Sequence, residues 1–483
     1  MKILVSGLYY YGTISGALMF EILQKEIEAG NEVYFLTCSS SLKACYFNVK
    51  ADTFKCNTCN VIKRNGLELI EGKFKEITLS QLKEKYKPTP RLDNQYPSNA
   101  RSLVDYCIDE FKLGESIRSN FLSKTRNRDI NDFYNSEYTQ YAFFEALELY
   151  QSVCDFIDDM KFDRVINFNG RWDFSRLILF ASLKSKVDCY NYEQARPGGY
   201  LEVYKNTLPH DFKYRKIELV DKFWDASKLN FEEKYAIADI FYKKKRNRIA
   251  VNDRIYTNKQ EIGLIPNKIE GKKLITIYTS SDDEFASLGD LYKNYLNSTQ
   301  HESAEEIAKY VNEKKNLQLW IRLHPNQLAL INTPELQRIV ALHNPEKGVE
   351  VILPNAKFDT YAMLDASDIV ITFGSSIGLE AAHAQKPVVL LADSPLYSDS
   401  LFYKPTSFEQ LFDLLQSDLQ PKESIDHLKF AYYYTEGGVK SSYYIQDKLY
   451  GKKTFKGVDL TQLKFWDKIK IHWAKKLKLK NKL

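Results

Sequence analysis

Leu317–Leu391 is the stretch that decides the fold, with LQLWIRLHPN at 317–326, VEVILPN at 349–355 and DIVITFGSSIGLEAAHAQKPVVLL at 368–391. Three short runs of Ile, Val and Leu, each followed by polar or glycine-bearing residues and then a helical pattern, read as strands of a parallel sheet. Ligands of such sheets bind at the carboxyl ends of the strands, which is where His324, Pro325, Ser375 and Ser376 fall.

These strand ends suit a phosphorylated ligand. After ITF, the turn at Gly374, Ser375 and Ser376 lets backbone approach closely, and a helix starting near Ser376 offers unpaired N–H groups to an anion. Glu380, one turn on, can accept hydrogen bonds from ribose hydroxyls. His324 is either a neutral donor to a phosphate oxygen or a cation beside it. The ordinary alternatives are a strand-ending turn for His324–Pro325 and a helix N-cap for the serines. The two pairs, expected on adjacent strands, favour a ligand site.

RLHPN followed by ITFGSSIGLEAAHAQKPVVLL resembles the carboxy-terminal domain of GT-B glycosyltransferases that build bacterial capsules and other surface polysaccharides. In the related sialyltransferases, Kdo transferases and teichoic acid polymerases, a His-Pro pair and a Ser-Ser pair hold the nucleotide and phosphate of the donor. The resemblance therefore implies that His324, Ser375 and Ser376 bind a nucleotide sugar, CMP-, CDP- or UDP-linked, with Arg322 and Glu380 as neighbours. A further acidic motif of the sialyltransferases, two carboxylates followed by Gly, has no match, which argues against a sialic acid donor. The implied fold is α/β, with two Rossmann-like domains facing a cleft. The implied activity is transfer of a sugar to a capsular or surface polysaccharide, or to its lipid-linked precursor. No DxD motif of the GT-A kind stands out, so no metal or other cofactor is expected for catalysis.

The length of 483 residues suggests two or three domains. We place the boundaries at 1–265, 266–450 and 451–483. With 44% hydrophobic and 27% charged residues the composition is that of a soluble globular protein. The 33 Tyr and 28 Phe suit sugar-binding clefts, and equally follow AT-rich coding bias. A net charge of +5 is small for this size and does not point to nucleic acid. No run of eighteen apolar residues predicts a transmembrane helix, and MKILVSGLYYYG reads as a first strand and not as a signal peptide. The expected compartment is the cytoplasm, with the seven cysteines reduced.

Taken in order, KILVSG, the glycines Gly7, Gly12 and Gly16, a helix ending at Gly30 and the strand NEVYFLTC make a Rossmann-like opening. The glycine spacing is not that of a dinucleotide site, and the resemblance puts Gly12 on the acceptor side. Cys38, Cys45, Cys56 and Cys59 lie within twenty-two residues, enough thiols for a structural zinc. Reduced, unliganded cysteines are the alternative, and the CxxC at 56–59 is expected in a loop. A long helix leads into the strand DRVINFNG, which sets Asn169, Gly170 and Arg171 at a strand end. By resemblance, Asn169 and Arg171 face the acceptor. Glu193 is the candidate general base, with His210 the runner-up; a salt bridge of Glu193 to Arg196 is the ordinary alternative. The basic run at 242–248 reads as a solvated face, GLIPNKIEGKK as the linker, and Ser280, Ser281, Asp282 and Asp283 as the end of a fresh strand.

The tail LKFWDKIKIHWAKKLKLKNKL holds eight lysines in its last twenty residues. At a helical period Phe465, Trp466, Ile469, Trp473 and Leu477 share one face, opposite Lys464, Lys468, Lys475, Lys478 and Lys482. This pattern predicts an amphipathic helix on an anionic membrane surface, the inner leaflet, against the alternative of a helix docked on its own protein. Two rivals to the transferase share its fold. A non-hydrolysing UDP-sugar 2-epimerase is disfavoured because SGLYYYG lacks the Arg and Glu of that family's first loop. The other is a non-catalytic binding partner in polysaccharide assembly.

Overall fold

The computed structural model describes residues 1–471 except 9–10, 12–13, 49, 51, 88–94, 210, 252–254, 282–287, 290–291, 293, 394–397, 447–450 and 470. Gly12, His210, Asp282, Asp283 and the tail from His472 onward thus lie outside the described residues. Two compact units make up the chain, one from residues 1–209 together with 438–483, the other from residues 210–437.

The first unit is built on strands β1 (Lys2–Gly7), β2 (Glu32–Thr37), β3 (Lys75–Thr78), β4 (Arg164–Phe168), β5 (Cys189–Arg196) and β6 (Tyr200–Lys205). Strands β1 to β5 pair in parallel in the order β3-β2-β1-β4-β5, and β6 adds antiparallel to β5. That order reverses direction between β1 and β4, as in a Rossmann-like sheet. β1 is a continuous apolar run because helices cover both its faces. The helix Ile14–Glu28 buries Leu18, Met19, Phe20 and Leu23 against it, and the helix Glu137–Met160 fills the other core with Phe143, Leu149, Tyr150 and Phe156.

The second unit holds β7 (Lys273–Tyr278), β8 (Leu317–Arg322), β9 (Val349–Ile352), β10 (Ile369–Thr372) and β11 (Val388–Leu390). All its pairs are parallel and the order is β9-β8-β7-β10-β11, again third, second, first, fourth, fifth. The expected α/β class with two Rossmann-like domains, the composition of a GT-B chain, is therefore what forms.

Several expectations are corrected. The unit boundary falls at residue 209/210 and not at 265/266. The helix Phe231–Arg246 turns Ala238, Phe241 and Tyr242 onto Leu428, Phe430 and Ala431 of the helix Asp426–Glu436, so the segment after residue 210 belongs to the second core. The Tyr242 hydroxyl donates to the carbonyl of His427 at 2.7 Å, adding a polar tie to that contact. Cys56 and Cys59 lie on the helix Thr53–Leu67 and not in a loop, because Asp52 caps its first turn by accepting the Phe54 N–H at 2.9 Å. The strands bearing His324 and Ser375 are not adjacent either, since β7 runs between β8 and β10.

After Gly437 the chain returns to the first unit. β12 (Val439–Lys440) pairs antiparallel with β6, and a hairpin of β13 (Tyr444–Gln446) and β14 (Lys453–Phe455) follows. The basic tail expected from 451 thus begins inside an extension of the first unit that starts at 438, with Tyr444 and Phe455 buried in its core. The anchor is Glu21, buried on the first helix. Its carboxylate accepts the backbone N–H groups of Ser442, Tyr443 and Tyr444 at 2.8, 2.6 and 3.0 Å. Glu21→Ala strands three donors and is expected to cost about 3 kcal/mol. Urea unfolding of the purified chain measures this; an unchanged midpoint would show that the hairpin holds without the carboxylate.

Candidate functional site

A cavity of about 140 Å³ opens in the second unit at the carboxyl ends of β7, β8 and β10. It is lined by Tyr278 at the end of β7 and Thr279 after it, by Arg322, His324 and Pro325 at the end of β8, and by Ser375 and Ser376 after β10. The strands carry these residues to one place because the sheet reverses its order between β7 and β10, where a crevice forms. Arg322, His324, Pro325, Ser375, Ser376 and Glu380, chosen from sequence, all line it, and Gly374 supplies the turn before the serines with a φ of 87°.

Arg322 is the telling residue. It is 3% exposed, and no carboxylate pairs with it among the described residues. Among the described residues its Nη1 and Nη2 reach only the carbonyls of Leu353 and Ala356, at 3.5 and 3.4 Å, and its Nε has no partner. Burial pushes its pKa down to about 10, which still leaves it cationic at neutral pH. A buried guanidinium left in this state calls for an anion.

His324 is held on its backbone side by Thr279 Oγ1 at 2.8 Å and Gln327 Oε1 at 2.9 Å, both accepting its N–H. Its Nδ1 accepts the N–H of Asn326 at 3.2 Å and lies 3.1 Å from the Ser281 hydroxyl. An Nδ1 that accepts a backbone N–H places the ring proton of the neutral form on Nε2, so the ring is a donor there. His324 does occupy an N-cap position, that of the 3₁₀ turn Pro325–Leu330, so the capping and ligand readings coexist. Ser376 sits at the N-cap of the helix Ile377–His383, yet its hydroxyl makes no capping bond. The Ser375 N–H is tied instead to Thr372 Oγ1 at 3.0 Å, which fixes the turn.

Sequence reasoning missed Lys245, Tyr256 and Tyr361. Lys245 lies within the basic run read as a solvated face, but its side chain is 12% exposed and its Nζ meets Glu380 Oε1 at 2.9 Å. Tyr361 donates to Glu380 Oε2 at 2.7 Å, and Tyr256 packs edge-on against His324 with ring centroids 5.4 Å apart. The helical position of Lys245, one turn after Phe241 on the buried side, was the available signal. Among the described charged groups of the cavity, Lys245 and Glu380 cancel and the Arg322 charge remains.

In the first unit, Asn169 (φ 63°) and Gly170 (φ 74°) form a left-handed turn after β4. A Cβ on Gly170 would stand 2.8 Å from the Asn191 side chain, so only glycine fits there. Asn169 accepts the Arg171 N–H at 3.0 Å and donates through Nδ2 to Glu193. Glu193 also accepts the Gln194 N–H at 2.9 Å, while Arg196 lies over the Tyr200 ring at 3.5 Å. Burial raises the Glu193 carboxyl above its ordinary range, against the lowering effect of those two hydrogen bonds. Asn169, Arg171 and Glu193 are thus brought together where β4 ends beside the middle of β5.

Cys38, Cys45, Cys56 and Cys59 line a smaller cavity of about 30 Å³ with Leu8 and Tyr11. Burial pushes Cys45 and Cys59 up to about 12, keeping them as thiols. Among the described residues no group of three or more His, Cys, Asp or Glu side chains can hold a metal ion, so these residues as placed do not fit a structural zinc.

The solved structures to which the chain is similar are distant. KpsC, a beta Kdo 2,4 transferase of Thermosulfurimonas dismutans, is 13% identical over 56% of this chain and 79% of its own, with a TM-score of 0.35. The S. aureus MnaA–UDP structure is 12% identical over 91% of this chain and 92% of its own, with a TM-score of 0.26. E. coli ADP-heptose LPS heptosyltransferase II is 11% identical over 85% and 89%, with a TM-score of 0.19. No curated protein matches the chain. The segment that carries Lys245, Arg322, His324 and the Gly374–Ser376 turn is matched, over residues 235–399, by the family of capsule polysaccharide biosynthesis proteins.

Proposed function

We propose that the protein is a glycosyltransferase of capsule or other surface polysaccharide assembly. It takes a sugar from a CMP-, CDP- or UDP-linked donor bound in the second unit and passes it to a polysaccharide or lipid-linked glycan. The observation that carries this reading is the buried Arg322 guanidinium, without a carboxylate partner among the described residues, in one cavity with His324, Ser375 and Ser376. A phosphate there would complete the hydrogen bonds of Arg322 and accept from His324 Nε2–H and the two hydroxyls. Preorganised donors of this kind stabilise the charge that builds on a departing phosphate, commonly the largest catalytic effect. Glu380, neutralised by Lys245, keeps lone pairs for a donor hydroxyl. Glu193 is the base that takes the proton of the acceptor hydroxyl, a task that burial suits by raising its proton affinity. The positive charge comes from side chains, so the reaction is proposed to need no divalent ion.

His324→Ala with Ser376→Ala is expected to lower nucleotide release from donor plus acceptor by about 10³-fold or more while the circular dichroism spectrum is unchanged. Full activity in that double variant would remove the site. Activity in excess EDTA should equal that without it, and loss restored by Mg²⁺ would refute the metal-free proposal.

Arg322→Met separates binding from folding. Exchanging an unpaired buried charge for an apolar side chain should leave the unliganded midpoint equal or higher. The rise in midpoint produced by CMP, CDP or UDP in the parent chain should vanish. A large drop in the unliganded midpoint would make the arginine structural.

Glu193 works deprotonated, so kcat should rise with pH through a value above the 4.5 of an ordinary glutamate. Glu193→Gln should abolish that limb along with turnover; an intact pH profile in the variant would assign the base elsewhere.

A further inference from the structure

The described start of the carboxy-terminal helix, residues 465–469, is pinned to the first unit from one side only. Asp467, 5% exposed, accepts from Arg64 Nη2 at 2.8 Å, and Ile471 is buried. Pinning at 467 and 471, one turn apart, leaves residues 465 and 466 facing away. Phe465 and Trp466 are accordingly 70% and 71% exposed, with their rings in edge contact at 5.6 Å. The apolar face read from sequence is thus not docked on the protein at these two rings. The alternative of a tail packed on its own chain through that face is excluded for them.

The charge around the rings is one-sided. Residues 464–469 contain two lysines, Lys464 and Lys468, and a single acidic side chain, Asp467. That carboxylate is buried and already neutralised by Arg64. The acid facing this element from the neighbouring helix is Glu68, exposed, 4.0 Å from Lys464 Nζ and 3.6 Å from Arg64 Nε. One carboxylate shared between two cations leaves the patch positive. No helix among the described residues is long and apolar enough to cross a membrane.

We propose that Phe465 and Trp466, with Lys464 and Lys468 beside them, dock the protein on an anionic lipid surface. The rings sink to the headgroup level while the ammonium groups pair with lipid phosphates. Two outward aromatic rings are poorly placed in water and well placed in the interfacial zone, where an apolar body and a polar edge are both satisfied. Clustered lysines add an attraction that anionic lipid alone supplies and that salt screens. Neither the donor cavity nor Glu193 enters this inference, so it stands or falls apart from the transferase reading.

The test is co-sedimentation of the purified full-length protein with vesicles of phosphatidylglycerol and phosphatidylcholine, against phosphatidylcholine alone. Binding is expected with the anionic vesicles, falling as salt rises. Phe465→Ala with Trp466→Ala should weaken it about tenfold or more at an unchanged thermal midpoint, since both rings lie outside the core. Brominated lipids should quench a fluorescence component that Trp466→Phe removes. Undiminished vesicle binding by the double alanine variant would overturn the proposal, as would equal binding to neutral vesicles. Binding to heparin or a single-stranded oligonucleotide, weakened by the same variant, with none to vesicles, would assign the patch to a soluble polyanion and overturn it as well.

Discussion

A guanidinium buried at a strand end with no carboxylate beside it among the described residues is the constraint around which the second unit is arranged. Charged groups are seldom buried unpaired because leaving water is costly, and the usual remedy is an adjacent acid. Arg322 has instead two long contacts to carbonyls and an Nε without a partner. A core optimised only for stability would place Leu or Met there. The surrounding residues leave this guanidinium on the wall of a cavity. β7 ends in Tyr278, β8 leads into the His-Pro turn, and β10 into a Gly-Ser-Ser turn in which the Ser376 hydroxyl is not consumed by capping.

The first unit uses the same strand order for another kind of chemistry. Its reversal point lies between β1 and β4, and the polar residues near it are an amide, an arginine and a carboxylate. A carboxyl of raised proton affinity lies among them. One sheet topology thus carries a cationic cavity in one copy and a carboxyl of raised proton affinity in the other.

How much of this was legible in the sequence depends on the kind of order involved. Parallel strands covered on both faces must be continuous apolar runs, so LQLWIR, DIVIT and KLITIY announce themselves. The turns after them are equally legible, because Gly374 and the His-Pro pair are local. Strand order is not local, and His324 and Ser375 prove to flank β7 instead of sitting on neighbours. The unit boundary was missed for a related reason. The helix Phe231–Arg246 looks basic and solvated from composition, and only its partner, the helix Asp426–Glu436 nearly two hundred residues later, shows which face is buried. Lys245 was lost with it, a single inward lysine inside a run of outward ones.

Net charge illustrates the same limit more sharply. A formal +5 on 483 residues excludes little, yet the described charges fall into different physical classes. Arg322 is cationic and buried, so its field acts within a cavity that screens poorly. Lys245 and Glu380 cancel at close range in the same cavity. At the carboxy terminus the one acidic side chain is withdrawn into the protein by Arg64, which turns a nominally mixed segment into a positive one. Removing a carboxylate from the surface changes the potential of a patch as effectively as adding a lysine, and it leaves no trace in composition. The sign and depth of each charge, set by helix faces and strand tips, therefore bear on function more than their sum does.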